Sequence, residues 1–196
     1  MSSAPALINA ENIAKDYGKG AVLAGVSLGI LRGERIGIVG RNGGGKSTLL
    51  RILVGAEQPD SGRVSFLSGL SIGYLAQVDE FPPDASISQV IFGDRDTHAW
   101  ASDSHAREVL EGLFGSHRAS DFDRAIAGLS GGERRRVSLA KLLVSNHDII
   151  CLDEPTNHLD VEGVNWLASY IKAERRIAVV VITHDRWFLD EVSDRT

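Results

Sequence analysis

Gly40-Arg41-Asn42-Gly43-Gly44-Gly45-Lys46-Ser47-Thr48 follows directly on the apolar run Ile36-Gly37-Ile38-Val39 and leads into a helical pattern from Ser47 to Val54. A strand that empties into a glycine-rich loop and then a helix is the layout of a phosphate-binding loop. Backbone N–H groups converge on a polyphosphate only where side chains do not block the approach, and positions 40, 43, 44 and 45 are all glycine. The helix that follows turns its positive dipole end to the same anion. Lys46 supplies a point charge for the β/γ-phosphates, and the Ser47 hydroxyl is a hard oxygen ligand for the Mg²⁺ that travels with a nucleotide.

Upstream of the loop, Val26, Leu28 and Ile30 alternate with small or polar residues, and Leu7-Ile8 with Ile13 forms a second short apolar pattern, so the first third reads as strands. Downstream, the turn Gln58-Pro59-Asp60-Ser61-Gly62 leads to two strand candidates, Arg63 to Leu67 and Ile72 to Leu75. From Ser86 the pattern becomes helical: Ser86 caps with Gln89 as its capping-box partner, and Gly93 stops the helix. Val109, Leu110, Leu113 and Phe114 make a second helical stripe that ends at Gly115. A helix from about Gly132 to Val144, a buried strand Ile149 to Leu152 and a helix carrying Val161, Val164, Leu167 and Ile171 follow. The last strand, Ile177 to Ile182, is β-branched and lacks alternation, as expected of a central parallel strand covered on both faces. The fold class is α/β with a mostly helical insert around residues 84–128, and no repeat, low-complexity tract or interdomain linker interrupts it.

The 196 residues suit one domain, short of the ~250–300 at which single cores divide. A net charge of −5 gives no general electrostatic reason to bind nucleic acid or acidic membranes, so any such contact is local. Cys151 is the one cysteine, set in an apolar strand; with no intrachain disulfide available, a reduced compartment and a small buried side chain are expected. Met1-Ser2-Ser3-Ala4-Pro5-Ala6 has no basic region followed by an apolar segment, and no stretch approaches the ~20 apolar residues of a membrane span. A soluble, cytoplasmic chain without a transmembrane segment is the expectation.

The strand ending in Asp153-Glu154 puts two carboxylates at the carboxyl edge of a sheet beside the phosphate site. Asp153 is assigned to the metal through a water ligand and Glu154 to the attacking water as general base, although such a pair also serves as a helix cap elsewhere. Leu129-Ser130-Gly131-Gly132-Glu133 is a second glycine pair before a helix, able to offer N–H groups and a hydroxyl to phosphate or simply to cap its helix. Gln77 can ligate Mg²⁺ or orient water. His184 stands where it can touch a γ-phosphate or be structural. Tyr17 can stack on a purine or merely pack. Arg134-Arg135-Arg136 offers either a contact to RNA phosphates or a solvated helix face.

In this order and spacing the motifs resemble the ATP-binding-cassette ATPases over nearly the whole chain. Tyr17 matches the adenine-stacking position, Gly40 to Thr48 the Walker A motif, Gln77 the Q-loop, Leu129 to Glu133 the signature, Ile149 to Glu154 the Walker B motif and His184 the switch histidine. Gly44, where a small side chain is common, and Glu133, in place of a frequent glutamine, are mild departures. The resemblance implies a P-loop NTPase fold of the ABC nucleotide-binding type, with an antiparallel β subdomain and a helical subdomain over about 84–146. It also implies ATP and Mg²⁺ as ligands and hydrolysis as the activity, with Ser130, Gly131 and Gly132 completing the site of a second cassette, in cis or in a homodimer.

Glu154-Pro155-Thr156-Asn157-His158-Leu159-Asp160, followed by Thr183-His184-Asp185-Arg186-Trp187-Phe188-Leu189-Asp190, resembles the ABC-F subfamily, whose members carry two cassettes and no transmembrane domain. Transporter cassettes more often show Ser-Ala-Leu-Asp in place of Asn157 to Asp160. The subfamily implies a partner in the ribosome and its RNA, as translation factor or antibiotic-resistance protein. Two alternatives stand beside it: the ATPase subunit of a membrane transporter, and an ATP-sensing module with little turnover. The segment from Gln77 to Leu129 is short, so the helical arm of many relatives is expected to be reduced or missing. With no second Walker A motif before Thr196, the chain is expected to be the first cassette of a longer protein.

Overall fold

The computed structural model describes residues 5–18, 20–93, 102–115 and 119–196; Met1 to Ala4 and the parts of the expected helical insert at 94–101 and 116–118 lie outside them. Two sheets organise the chain. β1 (Ile8–Asp16), β2 (Ala21–Ile30) and β4 (Ser61–Phe66) form an antiparallel sheet in the order β2-β1-β4, with Ile8 paired to both Ile30 and Phe66. β3 (Arg35–Ile38), β5 (Ile72–Leu75), β6 (Ile149–Asp153) and β7 (Ala178–Ile182) form a parallel sheet in the order β3-β7-β6-β5. Every residue of β6 and β7 is buried, which is why neither strand alternates in polarity.

Their side chains nevertheless divide by pleat. Ile149, Cys151, Ala178, Val180 and Ile182 join one apolar cluster with α1 (Lys46–Leu53) and the antiparallel sheet. Ile150, Leu152, Val179 and Val181 join the other, with the helices of the opposite face. Those helices are α2 (Ile87–Phe92), α3 (Ser104–Phe114), α4 (Gly131–Leu143), α5 (Val161–Ala173) and α6 (Arg186–Val192). Cys151 is fully buried in the first cluster, and burial pushes its thiol up to about 12, so it packs as a small apolar side chain. In α5 the stripe runs through Leu167 and Ile171, while Val161 in the first turn is 76% exposed.

The expected caps form. Ser86 accepts from the Gln89 N–H while the Gln89 side chain accepts from the Ser86 N–H, and Gly93 ends the helix at φ +64°. Ser130 and Glu133 form the same box at α4, and the side chains of Asp103, Asp160 and Asp185 accept first-turn N–H groups of α3, α5 and α6. No helix among the described residues is long and apolar enough to cross a membrane.

Candidate nucleotide site

Parallel strands end together at their carboxyl edge, so the loops after β3, β5, β6 and β7 meet there. Between them lies a cleft of 520 Å³ lined by the loop residues Asn42 to Thr48 together with Tyr17, Gln77, Asp153, Glu154 and His184. Five segments distant in sequence thus deliver their polar groups to one place. A larger groove of 1230 Å³ runs alongside between β5, α2 and α4, and Ser47, Gln77 and Asp153 line both spaces.

α1 alone among the described α-helices starts without a side-chain cap. Its N-cap residue is Gly45 at φ +80°, in the left-handed region, and a Cβ there would lie 2.7 Å from Val22 O. The glycine therefore lets the loop lie against β2 while the helix start is left to an anion from outside. The Lys46 ammonium donates to the Gly40 and Arg41 carbonyls at 3.0 and 3.1 Å, so it lies along the loop it belongs to. The Tyr17 hydroxyl donates to Glu57, whose other oxygen accepts from Arg51 Nε at 2.9 Å. These bonds, the tyrosine's first, hold the Glu57 carboxyl below its ordinary pKa and fix the Tyr17 ring at the mouth of the cleft. Lys15 Nζ lies 5.6 Å from the ring centroid.

Asp153 is 1% exposed, and its Oδ1 has no hydrogen-bond partner among the described residues. A buried carboxylate oxygen without a donor is costly unless a cation or its water answers it. Ser47 and Gln77 face the same space, and no group of three or more His, Cys, Asp or Glu among the described residues forms a closed metal cage. One carboxylate, a hydroxyl and an amide beside a phosphate site fit Mg²⁺, which keeps waters and takes substrate oxygens.

Glu154 is 6% exposed and adopts φ +50°. Its Oε2 accepts from the His184 N–H at 3.2 Å, and its Oε1 stands 3.3 Å from His184 Nε2. A base and an imidazole are thus side by side at the cleft. The signature residues are not: Ser130, Gly131 and Gly132 lie outside the cleft, and Gly132 approaches His158 so closely that a Cβ would stand 2.8 Å from its carbonyl. The Ser130 hydroxyl donates to Glu133 Oε2 at 2.8 Å and accepts from the Glu133 N–H at 3.3 Å. The Ser130 N–H and hydroxyl, with Arg124, hold the Glu133 carboxyl below its ordinary pKa.

The arginine triplet does not form one solvated face: Arg135 turns inward, while Arg134 and Arg136 remain partly exposed. Arg135 is 1% exposed and bonds to the backbone near both Gln77 and Glu154. Arg136 donates to Asp160 at 2.6 Å, and Arg134 to the carbonyls of Leu129 and Ile126 at 3.4 Å. Helical periodicity carried the signal for Arg135, because Arg135, Leu139 and Leu142 share one face and all three are buried.

The family model described as ABC transporter matches residues 23–157. The chain is 33% identical to the energy-dependent translational throttle protein EttA of Mycobacterium tuberculosis, covering 94% of this chain and 39% of the relative. It is 35% identical to the tylosin resistance ATP-binding protein TlrC of Streptomyces fradiae, over 95% of this chain and 41% of the relative. The chain thus spans about two fifths of the length of these curated relatives. Against the first, the alignment runs over 221 positions, more than the 196 residues of the chain, so that relative carries residues within the matched region that this chain lacks. Among solved structures, an archaeal ribosome recycling factor in complex with the ribosomal stalk protein superimposes with a TM-score of 0.81 at 32% identity, covering 99% of this chain and 37% of the other.

Proposed function

This chain belongs to the ABC transporter family and is an ATPase cassette of its ABC-F branch, and from that premise we propose that its hydrolytic cycle acts on the ribosome, in translation control or antibiotic resistance. The observation that carries the reading is the pairing of a cleft lined by the phosphate loop, Asp153, Glu154 and His184 with relatives named for translational throttling and tylosin resistance. The sequence relatives and the recycling-factor structure favour the ribosome over a membrane subunit. A cytoplasmic location and a tandem protein with a second cassette belong to the same proposal.

In the site, the N–H groups of Gly40 to Gly45 and of the α1 start hold the phosphates of ATP, with Arg41, Asn42 and Thr48 shaping the loop and Lys46 reaching the β/γ-phosphates. Tyr17 stacks on the base. Ser47, Gln77 and Asp153 would hold Mg²⁺, which would supply charge neutralisation on the phosphate oxygens. Glu154 takes a proton from water as the water oxygen bonds to the γ-phosphorus and the bond from that phosphorus to the β–γ bridging oxygen breaks, leaving ADP and phosphate. His184, beside Glu154, orients the γ-phosphate and the water. Ser130, Gly131 and Gly132 close over the nucleotide of a second cassette.

Co-sedimentation with ribosomes tests the proposal. The Glu154→Gln variant is expected to pellet with ribosomes in ATP and to stay in the supernatant in ADP. Equal absence from the pellet in both nucleotides rejects the ribosomal role and leaves the ATPase assignment standing.

A further inference from the structure

Arg135 lies on α4 less than two turns beyond Ser130, and its buried guanidinium has four acceptors. Nη1 donates to Ala76 O at 2.7 Å and to Asp79 Oδ1 at 3.0 Å. Nη2 donates to Asp153 O at 2.7 Å and to Glu154 O at 2.8 Å. Ala76 is the residue directly before Gln77, so one planar group joins the backbone under Gln77 to the backbone under both carboxylates.

Glu154 needs such a grip. A side-chain-bearing residue at φ +50° persists only where its surroundings over-determine it, and Pro155 after it disfavours the right-handed helical alternative. The Glu154 N–H is taken by Ile182 O at 2.8 Å, and its carbonyl accepts from the Asn157 N–H at 3.2 Å and from Arg135. The guanidinium thus completes the hydrogen bonding of the turn from which the Glu154 carboxylate projects.

We propose that Arg135 is a positioning residue for hydrolysis: it holds the left-handed turn that aims Glu154 and ties that turn to the Gln77 segment and to the helix that starts at Ser130-Gly131-Gly132. This rests on the reading of Glu154 as the base. A displacement of the signature helix when a second cassette engages it is carried by Arg135 to the carbonyls of Asp153 and Glu154. Lysine cannot do the same, since one ammonium nitrogen does not span acceptors that a planar fork reaches with two.

The test compares wild type, Arg135→Lys, Glu154→Gln and the double variant on the full chain. It measures ATP affinity by calorimetry, the split between kcat and KM, thermal unfolding, and amide exchange at Asn157. The expected result for Arg135→Lys is a fall in kcat of about 10- to 100-fold, with ATP affinity and KM within about twofold of wild type and faster exchange at Asn157. Because Arg135 acts through Glu154, the double variant is expected to match Glu154→Gln within about twofold. Losses that multiply in the double variant, or a raised KM with kcat intact, overturn the proposal. If Arg135→Lys does not fold, Asp79→Asn takes its place; it keeps the guanidinium and weakens its anchor, and about a threefold fall in kcat is expected, vanishing in the Glu154→Gln background. An unchanged kcat in Asp79→Asn then overturns the proposal. Full hydrolysis by Glu154→Gln overturns the assignment of the base itself, whereas loss of hydrolysis in Glu154→Gln with an unaffected Arg135→Lys overturns only the role of Arg135.

Discussion

At Glu154 the carboxylate has its oxygens set against the N–H and the imidazole of His184, and the backbone beneath it is held from Ile182, Asn157 and Arg135. Substituting the amide keeps the shape of the side chain and removes the charge that accepts a proton. Glu154→Gln is therefore expected to bind ATP as wild type does and to lose at least about 100-fold in single-turnover hydrolysis with excess protein. A rate within about twofold of wild type would place water activation at another group. Asp153, one residue earlier, carries the complementary signature of a cation site, a buried oxygen that no described donor reaches. Adjacent carboxylates thus have separate environments, one with an oxygen that no described donor reaches and one facing an imidazole, because β6 ends at Asp153 and the chain turns at Glu154 with φ +50°.

The helices differ in how their ends are satisfied, and that difference separates scaffold from site. α2 to α6 each close their first turn with their own Ser or Asp, whereas α1 begins at a bare glycine and offers its N–H groups to the cleft. Asp160 shows how a scaffold cap behaves. The Gly163 N–H, then Arg136, lower its pKa in the folded chain, so its stabilisation is complete above the unfolded value of 3.8 and is lost as pH falls through the still lower folded value. Asp160→Ala is expected to cost about 0.5–2 kcal/mol at pH 7. Thermal unfolding followed from pH 7 down to pH 2.5 checks the sign: the gap between wild type and variant should narrow below pH 4, and a constant gap would mean that the cap is not acting through its charge.

Ser130, Gly131 and Gly132 lie apart from the cleft lined by Asn42 to Thr48, so on the proposed reading each cassette carries two halves of different sites. Cassettes of this family pair, and joining two free copies loses translational and rotational freedom that a covalent link would largely spare. The ATPase rate of this 196-residue chain is accordingly expected to rise more than linearly with protein concentration. The Glu154→Gln form is expected to sediment as a dimer in ATP. A strictly linear rate from a persistent monomer would defeat the shared-site account. What the sequence determined by itself is whatever depends on neighbours a few positions away: the strand, glycine loop and helix at Gly40 to Thr48, the capping box at Ser86, the burial of β6 and β7, and the order of motifs that marks the family. Other features waited for the folded chain: the pairing of Glu154 with His184, the anchoring of Tyr17 through Glu57, and the inward turn of Arg135. These depend on the strand order β3-β7-β6-β5 and on hydrogen bonds between residues far apart in the chain, such as Arg135 and Ala76, and a spacing read along the chain does not carry the direction in which packed elements meet.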